Sequence, residues 1–198
     1  MGRPKEHDDA TRIALLAAAE RLIDAHGPDA ASVRAVADAV GTTTRAVYSV
    51  FGSKHGLLEA LATRLFEVLS DAIDAVPRSE DVAGDLVEAG VRAFRQTALD
   101  HPSLYRLVFV QVVPDLELGS EFGAVATAAF ARLEQLIARI DESGALGARS
   151  VGDAAVAFHS LTEGLATVEL RGEMLNPANA ERVWRDALAS IVRGWGAE

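Results

Sequence analysis

From Ile13 to Trp195 the apolar residues return every three or four positions, and no stretch shows the sustained alternation, rich in β-branched and aromatic residues, that marks a strand. That periodicity restricts the chain to an all-α fold, in which each helix buries one stripe and glycine or proline separates it from the next. The first helix runs from about Asp9 to His26, with Ile13, Leu16, Ala19, Leu22 and Ile23 on one face and Gly27-Pro28 behind it. Ser32 caps a short helix, Val33 to Val40, that Gly41 stops, and Thr42 or Thr43 caps a second, roughly Thr43 to Val50. Phe51-Gly52 breaks the chain, and Ser53 caps a long helix whose leucines and valines recur from Leu57 to Val76 before Pro77. Further helices are predicted at 81–99, 102–112, 120–142, 151–174 and 177–195, with loops at 113–120 and 143–150. Asn176 caps the last of them and Pro177 takes its first helical position.

The longest apolar run is far short of the ~20 residues a membrane span needs, and Met1 to Asp9 lacks the apolar segment of a secretory signal. There is no cysteine, so disulfides and thiolate chemistry are excluded. A cytoplasmic protein with no membrane partner is expected. A net charge of -10 argues at first against nucleic acid, because phosphate neutralisation needs Lys and Arg. Residues 1–55, however, hold seven basic and seven acidic groups, so the whole excess lies in residues 56–198. An acidic body behind a neutral head repels DNA everywhere except at the head, which favours orientation over tight non-specific binding.

Two short helices joined by a glycine-containing turn, with a long helix on either side, satisfy the pattern of a helix-turn-helix. Val36, Ala37, Val40 and Val47 can close a small core against the first helix. Thr43, Thr44, Arg45, Tyr48 and Ser49 then form the outer side of the second short helix, with almost nothing apolar among them. Hydroxyls reach phosphates or base edges, an arginine makes a two-pronged contact with guanine, and a tyrosine hydroxyl holds a backbone phosphate. The arm Gly2-Arg3-Pro4-Lys5 ahead of the first helix has an arginine suited to a narrow minor groove, and a disordered terminus fits it equally well.

At these residues the chain resembles the tetracycline-repressor (TetR) family of bacterial regulators. The stretch Ile13-Ala14-Leu15-Leu16-Ala17-Ala18-Ala19-Glu20-Arg21-Leu22-Ile23 continues through Gly27, Ser32-Val33-Arg34, Val36-Ala37, Val40-Gly41-Thr42, Val47-Tyr48, Phe51-Gly52-Ser53-Lys54 and Leu57-Leu58, in the family's order and spacing. The resemblance implies a three-helix DNA-binding domain in residues 1–55 and a larger helical ligand-binding and dimerisation domain in residues 56–198. It places Ser32, Arg34, Tyr48 and Lys54 at phosphates and Thr43, Thr44, Arg45 and Ser49 at bases. A plain cap at Ser32, a solvated charge at Arg34 and a packing role for Tyr48 are the alternatives. Thr42 and Thr43 replace the family's commoner small apolar and serine residues in the turn.

The segment from His101 to Phe109, with Phe158 to Leu170, is similar to a TetR subfamily typed by a tryptophan, a histidine and a glycine. Gly164 agrees, whereas Thr162 and Glu163 stand at the tryptophan and histidine positions. Phe94, Tyr105, Phe109, Phe122, Phe130 and His159 are the candidate pocket residues, each also suited to plain core. Val183, Trp184, Ala187, Leu188, Ile191, Val192 and Trp195 form a stripe too broad for a lone C-terminal helix facing water. TetR members dimerise through the last two helices of each chain, which implies an interface at Val183, Ala187, Ile191 and Trp195. The expected partners are double-stranded operator DNA, a second copy of the chain and a small apolar or amphipathic ligand. The function implied is a repressor that binds a palindromic operator as a dimer and is released by that ligand.

An enzyme is the main rival. The pairs His55/Glu59 and His159/Glu163 stand four apart on helices, yet neither has a third ligand at a telling spacing, so no metal and no cofactor is expected. No phosphate loop, nucleophile elbow or cysteine site is present. A second rival is an interaction module that keeps the helix-turn-helix as an inert scaffold. The presence of Arg45, Tyr48 and Lys54 argues against it.

Overall fold

A computed structural model of the chain describes residues 5–110 and 119–196, and every regular element among them is helical. In order these are α1 (Lys5–His26), a 3₁₀ turn (Pro28–Ala30), α2 (Val33–Val40), α3 (Thr44–Phe51), α4 (Lys54–Asp74) and α5 (Val82–Glu88). A π-helical segment (Ala89–Arg95), α6 (Gln96–Asp100), α7 (Pro102–Phe109), α8 (Ser120–Glu142) and α9 (Val151–Leu170) follow, and a second 3₁₀ turn (Pro177–Asn179) leads into α10 (Ala180–Trp195). Among the described residues no helix is long and apolar enough to cross a membrane. The N-terminal arm and the 113–120 loop lie outside the described residues, Lys5 and the 119–120 end apart.

α1 starts at Lys5 rather than near Asp9 and α7 ends at Phe109 rather than 112, and three further differences have a local cause. The helix expected at 81–99 is interrupted by a π-helical stretch, a widening that apolar periodicity does not reveal. The helix expected to reach 174 ends at Leu170, where Gly172 takes a left-handed φ of 71°. Asn176 caps the short 3₁₀ turn that Pro177 opens, so α10 itself starts three residues later than the proline suggests.

Contacts divide the chain into two units that are not sequential. The first comprises the described parts of Met1–Leu65 and Pro102–Gly123, and the second comprises Phe66–His101 with the described part of Ala124–Glu198. In the first unit Leu15, Ala19, Val36, Ala37, Val47, Leu57 and Leu61 are fully buried together. Leu104 and Leu107 of α7 join them, and the Ser103 hydroxyl donates to the Asp24 carboxylate of α1. The first 55 residues therefore share their core with a helix that lies fifty positions further along the chain.

In the second unit Leu86, Ile137, Ile140, Phe158, Trp184, Leu188 and Trp195 are buried. Among the polar braces that join its helices, two are the most buried. Arg95 donates to Glu169 through two nitrogens, at 3.0 and 2.7 Å, and the indole N–H of Trp184 donates to the same carboxylate at 2.8 Å. Asp85 accepts from the Ser79 amide and hydroxyl, at 2.7 and 2.8 Å, and from Arg139 at 2.7 Å. Burial pushes the Asp85 carboxyl up, but these hydrogen bonds together outweigh it and hold the group below its ordinary range.

Candidate functional site

The helix-turn-helix is built from caps. The Ser32 hydroxyl accepts from the Ala35 amide at 3.1 Å and starts α2. At its other end Gly41, at a φ of 71°, lets its own amide reach Asp38 and the Thr42 amide reach Ala37 at 2.9 Å, satisfying two carbonyls that the helix leaves over. Thr43 is the cap of α3, its hydroxyl accepting from the Ala46 amide at 3.2 Å. That assigns Thr43, rather than Thr42, as the turn's second cap. After α3 the Ser53 hydroxyl accepts from the Gly56 amide at 2.9 Å and opens α4. A β-carbon on Gly56 would lie 2.1 Å from the Phe51 carbonyl oxygen, so the exit from α3 admits no larger residue there without shifting backbone.

With Val47 buried, the rest of α3 is fixed in rotation about its axis. Thr43, Thr44, Arg45, Tyr48 and Ser49 are all exposed, Tyr48 to 52% of its surface. A large exposed aromatic among hydroxyls and a guanidinium is a polar face with one amphipathic anchor, the chemistry that meets phosphates and base edges. Arg34 and Asp38 form an open i,i+4 pair at 4.0 Å on α2, and Lys54 stands 3.9 Å from Asp29. Both pairs are so exposed that salt and a phosphate compete with them easily. Ser32 is half-buried, its oxygen already engaged as a cap.

The second unit contains a cavity of about 210 Å³. Phe66, Leu69 and Ile73 of α4, the π segment's Gly90 and Phe94, Ala126, Ala129 and Phe130 of α8, and Phe158, His159 and Thr162 of α9 contribute to its wall. Of the candidate pocket residues, Phe94, Phe130 and His159 line it. Tyr105, Phe109 and Phe122 do not. Tyr105 and Phe109 pack on one another at 4.9 Å in the first unit, and Phe109 and Phe122 pack against its core. The α4 lining, with Phe158 and Thr162 of α9, escapes sequence reasoning because these residues fit a core stripe equally well. Ala126 and Ala129, small residues where α8 carries its apolar face, are the signal that space is left there.

On α10, Val183 is exposed, Ala187 and Ile191 are half-buried, and Trp195 is only 4% exposed. Trp195 belongs to the protomer's own core, 6.5 Å from the Phe158 ring, with its carbonyl held by Arg149 at 2.9 Å. His159 and Glu163 meet at 3.7 Å as an ordinary i,i+4 pair, and among the described residues no group of three or more possible ligands is placed to hold a metal.

Two family profiles match this chain. The one described as "Bacterial regulatory proteins, tetR family" covers residues 15–61, and the one described as "Tetracyclin repressor-like, C-terminal domain" covers residues 87–191, more than half the chain by itself. The chain belongs to the TetR family. TetR proteins are DNA-binding transcriptional regulators rather than enzymes, and the all-α arrangement of a helix-turn-helix with a helical C-terminal domain is theirs. Comparison with curated protein sequences returns no match. Among solved structures the chain resembles a protein of unknown function from Rhodococcus sp. RHA1, with 24% identity over 94% of this chain and 95% of that one and a TM-score of 0.81. It also resembles the TetR family regulator PfmR from Thermus thermophilus, at 23% identity over 93% and 98% and a TM-score of 0.64. RolR in complex with resorcinol is similar at 17% identity over 98% and 97%, also with a TM-score of 0.64. These likenesses establish the TetR fold.

Proposed function

We propose that this TetR regulator is a cytoplasmic repressor that binds a palindromic operator as a homodimer and leaves it when a small apolar or amphipathic molecule occupies the second unit. In this reading residues 1–55 bind DNA and residues 56–198 sense and dimerise, with α4 common to both. Lys54 and Tyr48, with Ser32 and Arg34, hold phosphates, while Thr43, Thr44, Arg45 and Ser49 read bases. The observation that carries it is the course of α4. This helix holds Lys54 in its first turn and, twelve residues later in the sequence, Phe66 in the cavity wall. A molecule that binds one arrangement of α4 more tightly than another shifts DNA affinity by the same factor, commonly about 1 to 3 kcal/mol. The resorcinol bound to RolR, a protein of the same fold, supports reading the cavity as a ligand site. Within the family, Gly164 and the following Leu165-Ala166 favour the Trp-His-Gly-typed subfamily, with Thr162 in the tryptophan position. Selection of bound fragments from a random DNA pool tests the reading. The expected product is a two-fold symmetric consensus, and enrichment of no sequence at all would overturn it.

The dimer surface in this reading is the outer side of α9 and α10. Val156 and Val168 on α9 and Val183 on α10 are exposed, and Ala187 and Ile191 are half-buried. Apolar groups on water-facing helix surfaces gain roughly 25 cal/mol per Å² when covered. Sedimentation is expected to show a dimer at micromolar concentration. Combining Val183→Glu with Ile191→Glu is expected to yield the 20.9 kDa monomer with its helicity intact. A wild-type chain that sediments as a monomer would remove this surface from the account.

A further inference from the structure

The wall of the cavity specifies the chemistry of what fills it. Of the fourteen residues that line it, only His159 and Thr162 bring polar side-chain atoms, and no carboxylate, ammonium or guanidinium group is among them. An ionised molecule of either sign would lose its hydration there and find no opposite charge in the wall. Burial, against the pull of Glu163, keeps the His159 imidazole below its ordinary pKa, so the wall stays uncharged near neutral pH.

Size narrows the class further. A cavity of about 150 Å³ is filled by benzene, so one of about 210 Å³ accepts roughly eight to ten non-hydrogen atoms, a single ring with short substituents. The wall is rich in rings. Phe94 and Phe130 each meet the His159 ring edge-on, at 5.7 and 6.0 Å, the geometry aromatic groups prefer and one that another ring can extend.

Thr162 sets the polarity of the hydrogen bond that its own side chain can make. Its side chain is almost wholly buried, and its hydroxyl donates to the His159 carbonyl at 2.8 Å. A threonine hydroxyl has a single proton and two lone pairs, so with the proton committed it offers acceptance. Resting on the reading of the second unit as a sensor, we infer that its ligand is an uncharged single-ring alcohol or phenol of roughly eight to ten non-hydrogen atoms, whose hydroxyl donates to Thr162 Oγ1.

Four probes of matched size separate the parts of this inference by calorimetry on the full chain: 4-ethylphenol, 4-ethyltoluene, 4-methylbenzoate and 4-methylbenzylamine. The phenol is expected to bind, the hydrocarbon about three- to tenfold more weakly for the lost hydrogen bond, and the two ions at least about a hundredfold more weakly. Thr162→Val is expected to bring the phenol down to the affinity of the hydrocarbon, and Thr162→Ser to restore the difference. Ala129→Phe, which fills the space, is expected to abolish binding of all four while the circular dichroism spectrum stays helical. Equal binding of 4-methylbenzoate and 4-ethylphenol, an unchanged phenol preference in Thr162→Val, or no binding of 4-ethylphenol would each overturn the inferred class. Binding as expected with no effect on operator affinity would leave that class standing and overturn the sensor reading instead.

Discussion

Glu169→Ala is expected to lower the stability of the chain by about 3 to 5 kcal/mol, the range for stripping one partner from a buried ion pair. Three donors converge on this carboxylate: two nitrogens of Arg95 and the indole N–H of Trp184. The Arg95 and Glu169 side chains are only 15% and 12% exposed, so water replaces little of what the substitution removes. Trp184 is fully buried, and its N–H would be left without an acceptor, a loss of about 1 to 3 kcal/mol by itself. The remaining acidic neighbour of Arg95, Glu181, stands at 4.0 Å and is more than half exposed, which makes it a weak substitute. The brace ties the π segment to α9 and α10, so its loss is felt across the second unit. Urea unfolding monitored by tryptophan fluorescence and by circular dichroism measures the effect. A loss below about 1 kcal/mol would mean that the pair acts as an exposed one.

Arg45→Ala is expected to cost roughly 1 to 3 kcal/mol on specific DNA, about five- to 150-fold in affinity. Arg45 stands on the exposed side of α3, and the burial of Val47 fixes which side that is. Its guanidinium presents a planar fork that matches the two acceptors of guanine, a geometry alanine cannot supply and lysine supplies poorly. On random duplexes the same variant is expected to lose little, because most non-specific affinity comes from phosphate neutralisation. Lys54 is the opposite case. It is a point charge in the first turn of α4, and its pairing with Asp29 at 3.9 Å is open to solvent. Lys54→Ala is expected to weaken binding to every duplex alike.

The helices were largely legible in the sequence because each carries both its periodicity and its punctuation. Ser32, Gly41, Thr43, Gly52 and Ser53 fix the ends of α2, α3 and α4 through local hydrogen bonds, and local bonds are what a sequence states most directly. Long-range packing was not legible. Tyr105 and Phe109 read as pocket residues on pattern, yet α7 returns to α1, where Leu104 and Leu107 complete the core. Trp195 reads as part of an interface because a lone helix seldom carries so wide an apolar face. The chain covers that residue itself, with Phe158 and the turn at Gly147. The outer face of α3 was readable because its apolar residues fall on one side, Val47 buried and Val50 and Phe51 packed against the same core, and the polar residues fall on the other.

The assignment of that face to sequence reading is tested most directly by salt. Affinity for the selected consensus and for a random duplex of equal length, measured at several salt concentrations for the wild-type chain, Arg45→Ala and Lys54→Ala, separates contacts that position from contacts that read. The expected result is that Lys54→Ala loses affinity equally on both DNAs and shallows the slope of log affinity against log salt by about one unit, while Arg45→Ala loses affinity on the consensus alone and keeps its slope. If Arg45→Ala lost affinity equally on both duplexes and Lys54→Ala lost it only on the consensus, the roles assigned to these two residues would be contradicted.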